Sequence, residues 1–175
     1  MQQILAKASQ IKVIIFDVDG VLTDGRLFVT DEGVEFKAFY ARDGLGMRML
    51  QNSGVQVGVI SGRTSGALLH RCKELGIELI YQGQRNKLPA FEQLLQETQL
   101  SEHQIAYVGD DVIDIAVMLR VGLAVAVADA HRDVCQVAHW QTPNEGGRGA
   151  VRDVCELIMN AQGTLAAQLE MMSIQ

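Results

Sequence analysis

Proline is scarce in this chain, with only 2 in 175 residues, and no stretch is rich in Pro, Ser or one sign of charge. Nothing marks a linker, a repeat or a low-complexity tract, so a single domain over residues 1–175 is expected, with a tail from about 164. Cysteine is scarce too. Cys72, Cys135 and Cys155 are odd in number, far apart and in no metal-ligand spacing, which leaves them as reduced core thiols. No apolar run approaches the roughly 18 residues of a membrane span. The start, Met1-Gln2-Gln3-Ile4-Leu5-Ala6-Lys7, lacks a signal-peptide core, so a cytoplasmic location is expected. Basic residues are outnumbered, 15 against 21 acidic, for a net charge of -6. That balance argues against nucleic acid and membrane surfaces as partners.

What is present is concentrated in the segment Ile11-Lys12-Val13-Ile14-Ile15-Phe16-Asp17-Val18-Asp19-Gly20-Val21-Leu22-Thr23-Asp24-Gly25. The apolar run reads as a strand buried on both faces, of the kind found in parallel sheets. Past its end the backbone turns, so Asp17 and Asp19 can both reach one site. Two close carboxylates repel, and each has its pKa raised unless a cation or strong donors sit between them. Such a pair at the mouth of a buried strand points to a metal, a nucleophile or both. A plain Asp- and Gly-rich turn is the alternative reading.

The remaining pattern alternates. A hairpin is expected over about 26–39, where Leu27 to Val29 and Val34 to Phe39 flank the turn residues Thr30 to Gly33. Further strands are expected near Val55 to Ile60, Leu79 to Tyr81, Ile105 to Val108 and Leu123 to Val127. Helices are expected from Leu45, after Thr64, from Leu88, after Asp111 and from Ala150. Strand–helix alternation implies a three-layer α/β, Rossmann-like fold: a mostly parallel sheet of five to six strands, with the hairpin inserted after the first.

Chemistry in such sheets collects at the carboxyl ends of the strands. There the first strand delivers Asp17 and Asp19, the second Ser61, and the fourth Asp110, Asp111 and Asp114, while Lys87 stands where a helix begins. Each alone is weak, since Ser-Gly is often a turn, a lone Lys is usually solvated and Asp-Asp can cap a helix. Together they supply the parts of phosphoryl transfer. Asp17 would attack phosphorus and Asp19 would protonate the departing alcohol and then activate water. Magnesium fits an all-oxygen site of Asp17, the backbone carbonyl of Asp19 and Asp110. Ser61 and Lys87 would hold phosphoryl oxygens. Asp111 and Asp114 lie behind these, with binding of the metal through water open for either.

The first segment resembles the opening motif of the haloacid dehalogenase superfamily of phosphohydrolases, whose first Asp is the nucleophile, and its other three motifs follow in order. Beyond these, Val21 to Gly25, Tyr40-Ala41-Arg42-Asp43-Gly44, Gln82 to Lys87, Tyr107 to Asp114 and Gly146 to Arg152 closely resemble the 3-deoxy-D-manno-octulosonate 8-phosphate phosphatases. The resemblance implies a magnesium-dependent phosphatase of lipopolysaccharide precursor synthesis, releasing the free sugar acid through an aspartyl-phosphate. It also implies a homotetramer with active sites at subunit interfaces. It places Asp19, Tyr40, Ala41, Arg42, Asp43, Gly44, Arg48, Arg63, Arg71 and Lys87 around the phosphosugar.

Spacing supports the interface independently. Neither the interval from Asp17 to Ser61 nor that from Ser61 to Lys87 has room for a lid domain, so the fold is expected to be uncapped. The hairpin is apolar on alternate residues in both arms, as in a strand pair that packs on partners, although it could cover its own core. Arg148 could reach a neighbouring site, and Met171-Met172 could close one, but a solvated Arg and a frayed tail are the plainer readings. The four histidines show no ligand spacing. Three rival readings stand beside this one. A phosphatase for a nine-carbon, sialic-acid-type sugar phosphate shares every catalytic residue, and Tyr40-Ala41 and Leu45 depart from the family pattern beside the substrate loop. A non-catalytic tetramerisation module is disfavoured because the whole catalytic set is intact. A response-regulator receiver is disfavoured because its phosphorylated Asp follows a later strand.

Overall fold

A computed structural model describes residues 1–173 of the chain. Helix α1 (Gln2–Ala8) leads into β1 (Val13–Phe16), a β-branched and aromatic run that is buried throughout. A short antiparallel hairpin follows, β2 (Phe28–Val29) and β3 (Glu35–Phe36), with Phe28 opposite Phe36. Helices α2 (Ala41–Asn52), α3 (Gly66–Leu75) and α4 (Leu88–Thr98) then alternate with β4 (Gln56–Ile60) and β5 (Leu79–Tyr81). The second half contributes β6 (Ile105–Gly109), α5 (Ile115–Met118), β7 (Leu123–Ala126), α6 (Arg132–Val137), β8 (Trp140–Gln141), α7 (Ala150–Ala161) and α8 (Leu165–Ser173).

Six strands form one parallel sheet in the order β5-β4-β1-β6-β7-β8. Alternate residues feed two core layers, as strand geometry requires. Ile14, Phe16, Val57, Val59 and Val108 pack under α2, α3 and α7, whereas Val13, Ile15, Ile105 and Tyr107 pack under α4, α5 and α6. The sheet grows in both directions from β1, so the chain's connections diverge between β1 and its neighbour β6. The crevice at their carboxyl ends is where open α/β sheets bind ligands. This is the expected three-layer α/β fold, at the upper end of the expected strand count. No helix among the described residues is long and apolar enough to cross a membrane.

Two differences from the sequence pattern have physical causes. Helix α2 begins at Ala41 rather than Leu45, so Arg42, Asp43 and Gly44 occupy its first turn and not a loop. Its two glycines are contact points: a Cβ on Gly44 would lie 2.2 Å from Arg71 Nη2, and one on Gly46 would lie 2.8 Å from Arg152 Cδ. The residues from Leu165 are helical rather than frayed, because Leu165 and Met172 share a face that packs against the core. The tail's last two positions, 174 and 175, lie outside the described residues.

Candidate active site

Asp17 ends β1, where its N–H donates to Val108 O of β6 at 3.0 Å and its side chain is almost wholly buried. Val18–Leu22 then wind into one wide turn, closed by Thr23 N donating to Val18 O at 3.1 Å. Gly20 takes φ +97° in this turn, and any Cβ there would stand 2.0 Å from Asp110 Oδ2. Asp110 is therefore pressed against the Asp19–Gly20 backbone, which only glycine permits. The turn is braced from behind by Gly147 N, which donates to Val21 O at 2.9 Å. A Cβ on Gly146 would lie 1.7 Å from Gly20 O, which explains the Gly-Gly pair in that motif.

Lys87 stands at the start of α4 and is only 1 % exposed. Its Nζ donates to Asp17 Oδ1 and to Asp114 Oδ1, both at 2.6 Å, and lies 3.1 Å from Tyr107 Oη. Tyr107 Oη itself donates to Asp114 Oδ1 at 2.6 Å. The second oxygen of Asp114 accepts from Asp110 N and Asp111 N at 3.1 and 3.2 Å. Asp114 thus spends both oxygens on holding Lys87 and the loop that carries Asp110. Asp111 is exposed and accepts from Val112 N at 2.7 Å, capping the short helical turn after β6.

The electrostatics match this crowding. Burial pushes the Asp17 carboxyl up to about 6 against the pull of Lys87, with Asp114 adding to the rise. Asp110 is pushed up to about 8 by burial and by the negative charges of Asp17 and Asp114. Burial opposes the charge on Lys87, yet Asp17 and Asp114 together hold its pKa above the ordinary value.

Asp17, Asp110 and Asp114 each offer an oxygen within 4.8 Å of the others. Asp110 Oδ1 is buried and has no hydrogen-bond partner in the protein. An orphaned buried carboxylate oxygen in an all-oxygen cluster suits a hard divalent cation, so the residues present fit magnesium.

Ser61 follows β4, the strand paired to β1, and is 2 % exposed; its Oγ accepts from Arg63 N at 3.2 Å. Asp19 is less buried and meets two residues from elsewhere. Its Oδ1 accepts from Lys37 Nζ, and its Oδ2 lies 3.8 Å from Arg63 Nε. Glu35 joins both cations, pairing with Lys37 at 3.0 Å and with Arg63 Nη2. The pairing with Arg63 and Lys37 holds the Glu35 carboxyl below the usual range.

The other residues expected around a phosphosugar are held differently in this chain. Asp43 is buried, and its Oδ1 accepts from Arg152 N at 2.9 Å, tethering α2 to the start of α7. Arg48 Nη2 donates to Glu74 O and Arg71 Nη1 to Glu74 Oε2, both at 2.8 Å, so these two arginines are engaged on α3. Arg42 is exposed with its guanidinium 5.9 Å from the centroid of the Tyr40 ring. Ala41 is exposed, whereas Gly44 is buried under Arg71. Arg148 is exposed, 3.9 Å from Asp24. Beside Ser61, Arg63 and Arg85 line an open cavity of about 790 Å³ with Thr64, Gly83 and Ile113.

Lys37, Glu35 and Tyr107 were not among the site residues expected from the sequence. The signal for Lys37 was the one cation on a hairpin arm whose only other charge is Glu35. Tyr107 gave none, because a tyrosine inside a buried strand reads as core.

Comparison with known proteins agrees with this geometry. Residues 77–153 match the haloacid dehalogenase-like hydrolase family. The chain is 49 % identical over 162 residues to the 3-deoxy-D-manno-octulosonate 8-phosphate phosphatase of Escherichia coli K12, covering 93 % of this chain and 86 % of that one. The structure superposes on the Yersinia pestis enzyme of that name with a TM-score of 0.92 at 48 % identity, over 94 % of this chain and 89 % of that one. The enzyme from Moraxella catarrhalis, solved with magnesium, phosphate and KDO, gives a TM-score of 0.96 at 40 % identity, over 98 % of this chain and 99 % of that one. With this degree of identity along nearly the whole chain, the protein belongs to the 3-deoxy-D-manno-octulosonate 8-phosphate phosphatase family of haloacid dehalogenase-like hydrolases.

Proposed function

We propose that this protein is a magnesium-dependent phosphatase that hydrolyses 3-deoxy-D-manno-octulosonate 8-phosphate to the free sugar acid and phosphate. The observation that carries the reading is the buried Lys87 bridging Asp17 and Asp114 beside the orphaned oxygen of Asp110. Such a cluster holds a nucleophile, a fixed cation and a place for a second one.

In the proposed reaction, an oxygen of Asp17 attacks phosphorus as the bond to the ester oxygen breaks, and Asp19 passes its proton to that oxygen. Asp19 then takes a proton from water, whose oxygen attacks phosphorus and displaces Asp17. Ser61 donates to a phosphoryl oxygen, and Lys87 holds another while fixing the direction of Asp17. Magnesium, held by Asp17, the Asp19 carbonyl and Asp110, would screen the anionic phosphate from the anionic nucleophile. Asp114 and Tyr107 keep Lys87 in place. Arg63 and Arg85, which line the open cavity beside Ser61, supply positive charge for the sugar acid in a chain that is acidic as a whole.

Phosphate release from the eight-carbon sugar acid phosphate, with magnesium and with chelator, tests the reading. A clear preference for a nine-carbon sugar acid phosphate would overturn the substrate, and no metal-dependent release from any ester would overturn the activity.

We further propose that the chain is one uncapped domain that works as a cytoplasmic homotetramer with shared active sites. Leu27, Phe28, Val29, Val34 and Phe36 are all exposed on the hairpin, and the rings of Phe28 and Phe36 stack at 5.5 Å. An apolar surface of this kind is costly in water unless covered. Phe36→Asp should yield a smaller species on sedimentation, and an unchanged sedimentation profile would refute the hairpin contact.

A further inference from the structure

The hairpin arm that carries β3 alternates as a strand does, with Phe36 and Ala38 exposed and Lys37 turned inward. The Lys37 side chain is 2 % exposed, an expensive place for an ammonium unless carboxylates meet it. Two do. Asp19 lies on one side and Glu35 on the other, and Arg63 links those two carboxylates to close a four-membered ring of alternating charge. Lys37 thus binds one oxygen of Asp19, Oδ1, while Oδ2 keeps only the longer 3.8 Å contact to the half-exposed Arg63.

We propose that Lys37 is the positioning residue for the proton transfer made by Asp19. By anchoring Oδ1 it fixes the rotation of the carboxyl group and presents Oδ2 to the ester oxygen. The inference rests on the acid–base role of Asp19 proposed above. It gives the hairpin a task in its own subunit's chemistry. A general acid displaced from its line to the leaving oxygen forfeits much of the 10²- to 10⁴-fold, in round numbers, that such catalysis contributes.

The test turns on the leaving group. An alkyl phosphate needs a proton delivered to its departing oxygen, whereas p-nitrophenyl phosphate releases a stabilised anion without one. Values of kcat/KM for both esters report the first displacement only. Lys37→Met keeps the length and apolar stem of the side chain but removes its charge. It should lower kcat/KM for the alkyl ester by roughly 100-fold and for the aryl ester by less than about tenfold. Lys37→Arg should recover part of the alkyl-ester rate. Equal losses on both esters, or no loss on either, would overturn the proposal and leave Lys37 as a hairpin anchor. Lys37→Gln, run on the same two esters, carries the comparison if the Met variant does not fold. A wild-type protein that hydrolyses a simple alkyl phosphate but not the sugar acid phosphate would refute the proposed substrate. The Lys37 comparison then proceeds on the simple ester.

Discussion

Removing the ammonium of Lys87 should damage stability and activity together, and the structure sets both magnitudes. In Lys87→Met the apolar stem stays packed, but Asp17 and Asp114 each lose a donor at 2.6 Å. Three carboxyl groups within 4.8 Å are then left with no fixed cation among them. Breaking a buried ion pair by deleting one partner costs about 3–5 kcal/mol. At roughly 2–4 °C per kcal/mol for a chain of this size, the metal-free variant should melt about 6–20 °C below the wild type. Magnesium should narrow that gap, because it brings positive charge to the same carboxylates and has no counterpart in the unfolded chain. In saturating magnesium kcat should still fall by roughly 10²–10³, the usual loss when one fixed charge on a developing oxyanion is removed. The assay is a pair of thermal melts, with chelator and with magnesium, beside steady-state phosphate release. A variant melting within about 2 °C of the wild type in chelator would refute the bridging role. Retention of most of kcat would refute the part assigned to Lys87 in phosphoryl transfer.

Two further outcomes follow from the same geometry. Asp43 is buried, and burial pushes its carboxyl from the ordinary carboxylate range up to about 6, against donation from the Arg152 and Gly149 N–H groups. The folded chain then binds this proton more tightly than the unfolded chain, so stability is lost as pH rises from about 4 through 6 and stays lost above. Asp43→Asn removes that titration, so urea melts should show the wild type losing about 2–3 kcal/mol relative to the variant between about pH 4 and 7. A pH-independent difference would refute the assignment. Gly20→Ala would place a methyl 2.0 Å from Asp110 Oδ2 at a φ that L-residues rarely adopt. It should abolish magnesium-dependent turnover, which phosphate release against magnesium concentration would show, while wild-type kinetics would refute the tight turn.

The buried strands were legible because long apolar runs have few other fates in a chain of this size. Their ends then located Asp17, Ser61, Lys87 and Asp110 without reference to packing. What escaped depends on partners distant in sequence. Gly44 stands before the helix start expected at Leu45, yet it sits inside α2 as Gly46 does, because Arg71 and Arg152 crowd those two positions. Strand β8 is two residues long and has no apolar run to announce it, and the short helices α1 and α6 carry too little periodicity to stand out. The ring of Asp19, Lys37, Glu35 and Arg63 joins the first turn, the hairpin and the loop after β4, so only the docked hairpin reveals it. Tyr107 gained its role the same way, from Lys87 and Asp114 reaching one hydroxyl inside the sheet.

The proposed reaction turns on Asp17 forming the bond to phosphorus in the hydrolysis of 3-deoxy-D-manno-octulosonate 8-phosphate. The most direct measurement is phosphate release from that ester by Asp17→Asn in saturating magnesium, beside the wild type. The substitution keeps the side-chain shape and a partner for Lys87 but removes the anionic nucleophile. Rapid release is expected from the wild type and none detectable from the variant, with the variant's fold intact by circular dichroism. A folded Asp17→Asn retaining more than about a few per cent of wild-type kcat would contradict it.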